Sequence, residues 1–324
     1  MALATGIGSM PGTDFAESLR LIMGETGDFV YVPELPARGV HASMTGRSLA
    51  VLEGIGADLQ PDGWRLGAGE GVDLRRARSL LAQDLDQAEE LAGSHRGLLK
   101  IQVAGPLTLA ATVERPRGDK MLADHGARRE IAESLAEGLR AHVGDVRRRF
   151  PHAEVVVQVD EPSIAAVLTG GIPTASGFSR HRSVQPPEAD ALLRQVVQAI
   201  TAAGARPVFH SCAPDVPVEL LAGAGFTAIS FDLSFAQPDD VWAEEFEKGV
   251  DLWFGVVPST DATADKAALA ARIQTFFSHF GFDEETYADR LVVSPTCGLA
   301  GASPAWARAA LATSHSVAER LSGD

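Results

Sequence analysis

A histidine and a cysteine two residues apart, His210-Ser211-Cys212, close a short apolar run that includes Val208-Phe209. On an extended backbone that spacing puts imidazole and thiol on the same side, so both can reach one atom. A carboxylate, Asp232, ends the next such run, Ala228-Ile229-Ser230-Phe231, and the chain's other cysteine, Cys297, follows Val293-Ser294-Pro295-Thr296. Two sulfurs, one nitrogen and one oxygen make a donor set that suits tetrahedral zinc. The same residues also suit plain packing, because cysteine is among the most buried residue types. Position favours the metal. A structural zinc knuckle draws on closely spaced C-x-x-C pairs, whereas Asp232 lies 20 positions after Cys212 and Cys297 another 65 on, so a folded scaffold must gather them. A third feature is Asp160-Glu161 at the end of Glu154–Val159, since two acids closing an apolar strand must face a site or be paired. Glu161 equally suits a helix cap or an ion pair with a helix arginine.

The elements that would position these groups alternate. Eight apolar, β-branched runs are Thr5–Ser9, Phe29–Pro33, Leu98–Val103, Glu154–Val159, Pro207–His210, Ala228–Asp232, Asp251–Val257 and Arg290–Val293. Helical periodicity covers Val72–Ala92, Asp119–Arg149, Pro187–Ala203, Val216–Ala224, Pro238–Lys248, Lys266–Phe280 and Ser303–Leu321. Eight strand-helix units in 324 residues predict a single α/β domain, a (β/α)8 barrel over residues 1–324, whose strand C-termini open on one face and bring His210, Cys212, Asp232 and Cys297 to a common rim. A doubly wound sheet would want fewer units and a phosphate fingerprint, which Gly6-Ile7-Gly8-Ser9-Met10-Pro11 only half matches. Two stretches break the alternation. Met44–Glu70 is glycine-rich and reads as an inserted hairpin or lid, and Thr169–Pro187 is a long polar loop with Arg180, His181 and Arg182.

Composition narrows the function. With 43 acidic and 28 basic residues the formal charge is −15, a field that repels nucleic acid and anionic lipid. Two cysteines make a disulfide framework implausible, which predicts reduced thiols and a cytoplasmic location. The start does not read as a signal peptide, and no apolar window is long enough to span a membrane. A nucleophilic-serine elbow, an H-E-x-x-H helix and a Walker loop are all missing from the sequence.

The strand exits also carry a resemblance. Ile7-Gly8-Ser9-Met10-Pro11, Gln158-Val159-Asp160-Glu161-Pro162, His210-Ser211-Cys212, Ile229-Ser230-Phe231-Asp232 and Pro295-Thr296-Cys297-Gly298-Leu299 together resemble the catalytic domain of cobalamin-independent methionine synthase, in a short, single-barrel form. The resemblance implies a (β/α)8 barrel in which zinc binds the homocysteine thiol and methyl transfer gives methionine. It matches His210, Cys212 and Cys297 to zinc ligands and sets Asp232 where the family usually has glutamate. It further implies that Ile7 and Ser9 hold the substrate carboxylate and Asp160 its ammonium, with Glu34, in Val32-Pro33-Glu34-Leu35-Pro36, a further ammonium candidate. Asp160 and Glu161 are thereby the acidic groups expected at the reaction. The long form's additional N-terminal barrel and tryptophan-bearing segment have no counterpart here, which leaves methyl-folate and a methyl-corrinoid, on a separate carrier, both open as donor. Two alternatives come from other classes: a metal-free decarboxylase resembling uroporphyrinogen decarboxylase, which needs an arginine-lined pocket, and a non-catalytic zinc-binding protein.

Overall fold

Strands that are apolar on both faces need a filled interior on one side and a helical coat on the other. The computed structural model, which describes residues 1–67 and 69–322, provides both. In chain order the strands are β1 (Leu3–Ala4), β2 (Phe29–Tyr31), β3 (Gly56–Gln60), β4 (Gly63–Gly67), β5 (Gly97–Ala104), β6 (Ala153–Asp160), β7 (Arg206–Ser211), β8 (Ala228–Asp232), β9 (Asp251–Val257) and β10 (Leu291–Pro295). Eight of them form one parallel sheet in the order β1-β10-β9-β8-β7-β6-β5-β2, while β3 and β4 make a separate antiparallel hairpin. The sheet ends meet. Thr5 Oγ1 donates to Phe29 O at 3.1 Å, Glu34 N to Gly8 O at 3.0 Å and Met10 N to Glu34 O at 2.9 Å, so hydrogen bonds beyond β1 and β2 lace the edges into a (β/α)8 barrel.

Helices wrap the outside, the longest being Val72–Ala92 and His125–Arg149. Their starts are set by side-chain caps: Asp124 accepts from Ala127 N, Asp265 from Ala267 N and Ser303 from Trp306 N. Inside, the base is an apolar plug of Phe29, Val156, Val208, Ala228, Trp253 and Val292, with Phe29 and Trp253 edge-on at 5.2 Å. Because side chains alternate along a strand, the next inward positions above that plug are two residues further on, and there the barrel turns polar. No helix among the described residues is long and apolar enough to cross a membrane.

Seven of the expected strands lie within two or three residues of their observed limits. The first does not: the strand is Leu3–Ala4, and Thr5–Ser9 runs on as an irregular exit over the barrel mouth. Gly6 permits this, since the Tyr31 hydroxyl and ring occupy the space a Cβ would need. The helix expected over Asp119–Arg149 begins at His125, after a 3-10 turn at Met121–Ala123. Met44–Glu70 resolves into a helix, Met44–Val51, and the β3–β4 hairpin; Ala68, in this stretch, lies outside the described residues.

That insertion is tied down by charge. Asp84, fully buried on the Val72–Ala92 helix, accepts from Arg38 Nη1 and Nη2 at 2.8 and 2.6 Å and from Arg47 Nη1 at 2.6 Å. Asp84→Ala would leave two cations without their partner, and is expected to cost about 3–5 kcal/mol. A urea titration followed by circular dichroism measures this; an unshifted midpoint would show that the arginines find other acceptors.

Candidate active site

The polar layer above the plug consists of Tyr31, Lys100, Gln102, Gln158, Ser230 and Ser294, all buried. Lys100 is fully buried, donates from Nζ to Ile7 O at 2.6 Å and Gln158 Oε1 at 2.7 Å, and lies 5.2 Å from the Tyr31 ring centroid. With its amide oriented to suit both neighbours, Gln102 accepts from Lys100 Nζ at 3.2 Å and donates to Val32 O at 3.0 Å. All three ammonium hydrogens thus have acceptors. Burial pulls the Lys100 pKa down to about 7, against the pull of Asp160 and Glu34.

On this layer rests a cavity of about 260 Å³ at the C-terminal mouth, lined by Ile7, Gly8, Ser9, Glu34, Asp160 and His210, with both cysteines and Gly298 along its edge. Seven of the sequence-predicted residues meet here: Ile7, Ser9, Glu34, Asp160, His210, Cys212 and Cys297. His210 pairs in register with Asp160 of β6 and with Ser230 of β8. Its Nδ1 sits 3.0 Å from Ser230 Oγ, and its Nε2 is buried with no hydrogen-bond partner. Burial first, then Lys100, holds the imidazole down at about 3, so the ring is neutral; with the proton on Nδ1, Nε2 presents a lone pair. Cys297 reaches the cavity because β10 changes register against β9 between Ser294 and Pro295, and such an irregularity re-aims the chain that follows. Gly298 has to be small, as a Cβ there would run into Ser9 Oγ.

The two cysteines meet at this cavity. Cys212 and Cys297, 85 positions apart in the chain, face each other sulfur to sulfur, with Cα atoms 5.6 Å apart. The exits of β7 and β10 thus bring both sulfurs to one place. Asp232 is brought to the same rim but turned aside: its Oδ1 accepts from Ser234 N at 2.8 Å and Ser234 Oγ at 2.7 Å, and it lines a neighbouring cavity with Asp215 and Trp242. With this carboxylate spent on its own turn, no group of three or more His, Cys, Asp or Glu among the described residues is arranged to hold a metal.

The acids at the end of β6 part company, as alternation requires. Asp160 faces the cavity, accepting from Gln158 Nε2 at 2.7 Å; burial and then Glu34 push its carboxyl well above the usual range, opposed by Gln158 and Lys100. Glu34 is also raised by burial, opposed by Arg47 and Lys100. Glu161 points outward and caps the short helix Pro106–Thr112, accepting from Leu107 N at 2.8 Å and from Thr108 N and Oγ1 at 2.6 Å. It caps a helix, though the one after β5 rather than its own successor. In the Thr169–Pro187 loop, His181 is buried against Asp119 Oδ1 at 3.2 Å and Arg180 donates to Gly171 O at 2.9 Å; only Arg182 of that basic trio is free of such a partner in the loop's own fold.

Lys100, Gln158 and Ser230 were missed as site residues. The signal was present: Lys100 and Gln102, then Gln158 and Asp160, repeat at a spacing of two inside otherwise apolar strands, which marks a polar stripe facing the barrel interior.

A family sequence model described as the catalytic domain of cobalamin-independent synthase matches residues 76–320. A search of curated proteins finds no match. Among solved structures, a B12-independent methionine synthase from Shewanella sp. W3-18-1 in complex with selenomethionine superposes with a TM-score of 0.62 at 14% identity, over 99% of this chain and 98% of that one. A GH5_18 protein from Streptomyces cattleya in complex with GlcNAc reaches a TM-score of 0.50 at 13% identity, over 99% of this chain and 80% of that one. At these identities the superpositions speak for the shared barrel alone.

Proposed function

We propose, from the premise that this chain belongs to the cobalamin-independent methionine synthase catalytic-domain family, that it transfers a methyl group to the thiol of an amino acid, homocysteine, with zinc as cofactor. The observation that carries the reading is the unpartnered, buried Nε2 of a neutral His210 on the same cavity as the sulfurs of Cys212 and Cys297. A buried ring nitrogen without a partner is costly unless something binds it, and a second-layer hydroxyl on the other nitrogen is how metal-bound histidines are oriented. His210, Cys212 and Cys297 would hold the ion, and Asp232 of the adjacent strand would have to turn from Ser234 to serve as fourth donor. Bound zinc would favour the thiolate of a substrate thiol, which is the nucleophilic form.

The chain's own residues would hold the rest of the substrate. Glu34 and Asp160 are two buried acids sharing one cavity, and an ammonium placed between them relieves both their desolvation and their mutual repulsion. The backbone of Ile7-Gly8-Ser9, which lines the same cavity, would receive the carboxylate. Glu161 would act at a distance, by fixing the helix after β5 to the exit of β6. A decarboxylase of the arginine-lined kind gains no support, since no arginine among the described residues lines this cavity.

The test is an incubation of reduced, zinc-loaded protein with homocysteine and, in parallel arms, methyl-folate and methylcobalamin. Methionine in either arm is the expected result and names the donor. Its absence in both, with zinc bound and the thiol unperturbed, would remove the reaction.

A further inference from the structure

A lysine ammonium has only donors, so whatever faces it must present an acceptor. Lys100 therefore decides which way the Gln158 amide points. With Oε1 turned to Nζ, the Gln158 Nε2 is left to donate to Asp160 Oδ1 at 2.7 Å and to Ile7 O at 2.9 Å. Lys100 itself holds Ile7 O at 2.6 Å, and through Gln102 reaches Val32 O, two residues before Glu34. One cation, fully buried beneath the cavity, is thus tied to the Ile7–Ser9 lip, to the Asp160 carboxylate and to the strand exit that carries Glu34.

We propose that Lys100 is the positioning residue for both ends of the amino-acid site: it fixes the Asp160 oxygen that remains for the substrate ammonium and, through the Ile7 carbonyl, the backbone that meets the carboxylate. The proposal rests on the amino-acid reading given above. It acts without touching substrate. Once Lys100 is removed, Gln158 Oε1 loses the donor that fixes the amide plane, so the Nε2 donated to Asp160 and the carboxylate it holds are no longer kept on one bearing. The Ile7 carbonyl loses its strongest donor at the same time. His210, Cys212 and Cys297 are not hydrogen-bonded to this network, and the Lys100 charge opposes a cation beside His210, so removing Lys100 should not cost bound zinc.

Calorimetric binding of L-methionine and of 4-(methylthio)butanoate, which lacks the ammonium, tests this on the whole reduced protein without any methyl donor. Lys100→Met is expected to weaken both ligands by about tenfold or more, as small misplacements of binding groups do, with zinc content unchanged. Gln158→Met removes the bond to Asp160 and the weaker of the two donors to Ile7 O while leaving Lys100 on that carbonyl, so it should weaken methionine by about tenfold and the analogue by clearly less. Folded Lys100→Met that binds methionine as the wild type does would overturn the proposal. Should Lys100→Met not fold, Gln158→Met decides: an unchanged ratio of the two affinities overturns the relay. A wild type that binds neither ligand would defeat the amino-acid reading itself, and the proposal with it.

Discussion

Cys297→Ser is expected to leave a folded barrel that neither retains zinc through dialysis nor alkylates a thiol. A serine hydroxyl is nearly the size of a thiol but stays protonated where a metal-bound cysteine is an anion, so the variant removes both a ligand and a charge while disturbing packing little. Cys212→Ser and His210→Ala should behave alike, because the three side chains border one cavity. Ser230→Ala is the graded control. Its hydroxyl only orients the imidazole, at 3.0 Å from Nδ1, and losing such an outer partner costs about 10–100-fold in metal affinity or activity. The three direct replacements should exceed that range. Metal analysis after dialysis, alongside a thiol-alkylation assay, reads all of these. A Cys297→Ser protein that keeps its zinc and its rate would sink the assignment of the donors.

Much of this was legible in the sequence because it depends on local rules. The strand-helix alternation and the i, i+2 spacing of His210 and Cys212 survive folding unchanged, since a parallel barrel imposes one direction and one face on every strand exit. What was not legible depends on partners remote in sequence. Whether Asp232 turns to the cavity or to Ser234 is decided by the turn two residues on, and both arrangements obey the same strand pattern. Glu161 could be seen to need a partner, but not that the helix after β5 supplies one. The polar stripe of Lys100, Gln102 and Gln158 was visible as polar residues in apolar strands, yet its meaning lies in cross-strand bonds to Ile7, 93 and 151 positions away from Lys100 and Gln158.

The Asp160→Asn variant is expected to bind methionine more weakly and yet unfold at a higher temperature than the wild type. Asparagine keeps the shape and the oxygen that accepts from Gln158 Nε2, but it presents an amide to the cavity in place of a charge. Truncating one partner of a buried, hydrogen-bonded charge pair costs about 2–5 kcal/mol, or upwards of about 30-fold in the dissociation constant. Stability should move the other way. In the empty protein Asp160 is opposed first by its own burial and then by Glu34, so neutralising it removes an unfavourable interaction that only a bound ammonium would otherwise relieve. Glu34→Gln should repeat the pattern in weaker form, because Arg47, 3.5 Å from Glu34 Oε1, already compensates part of its charge. Calorimetric titration and a thermal melt on the same preparation measure the two effects. Opposite signs are the mark of a site that holds strained charges ready for a cationic ligand. If affinity and melting temperature fall together, Asp160 is a structural member of the Lys100–Gln158 network, and the ammonium must be held by other groups.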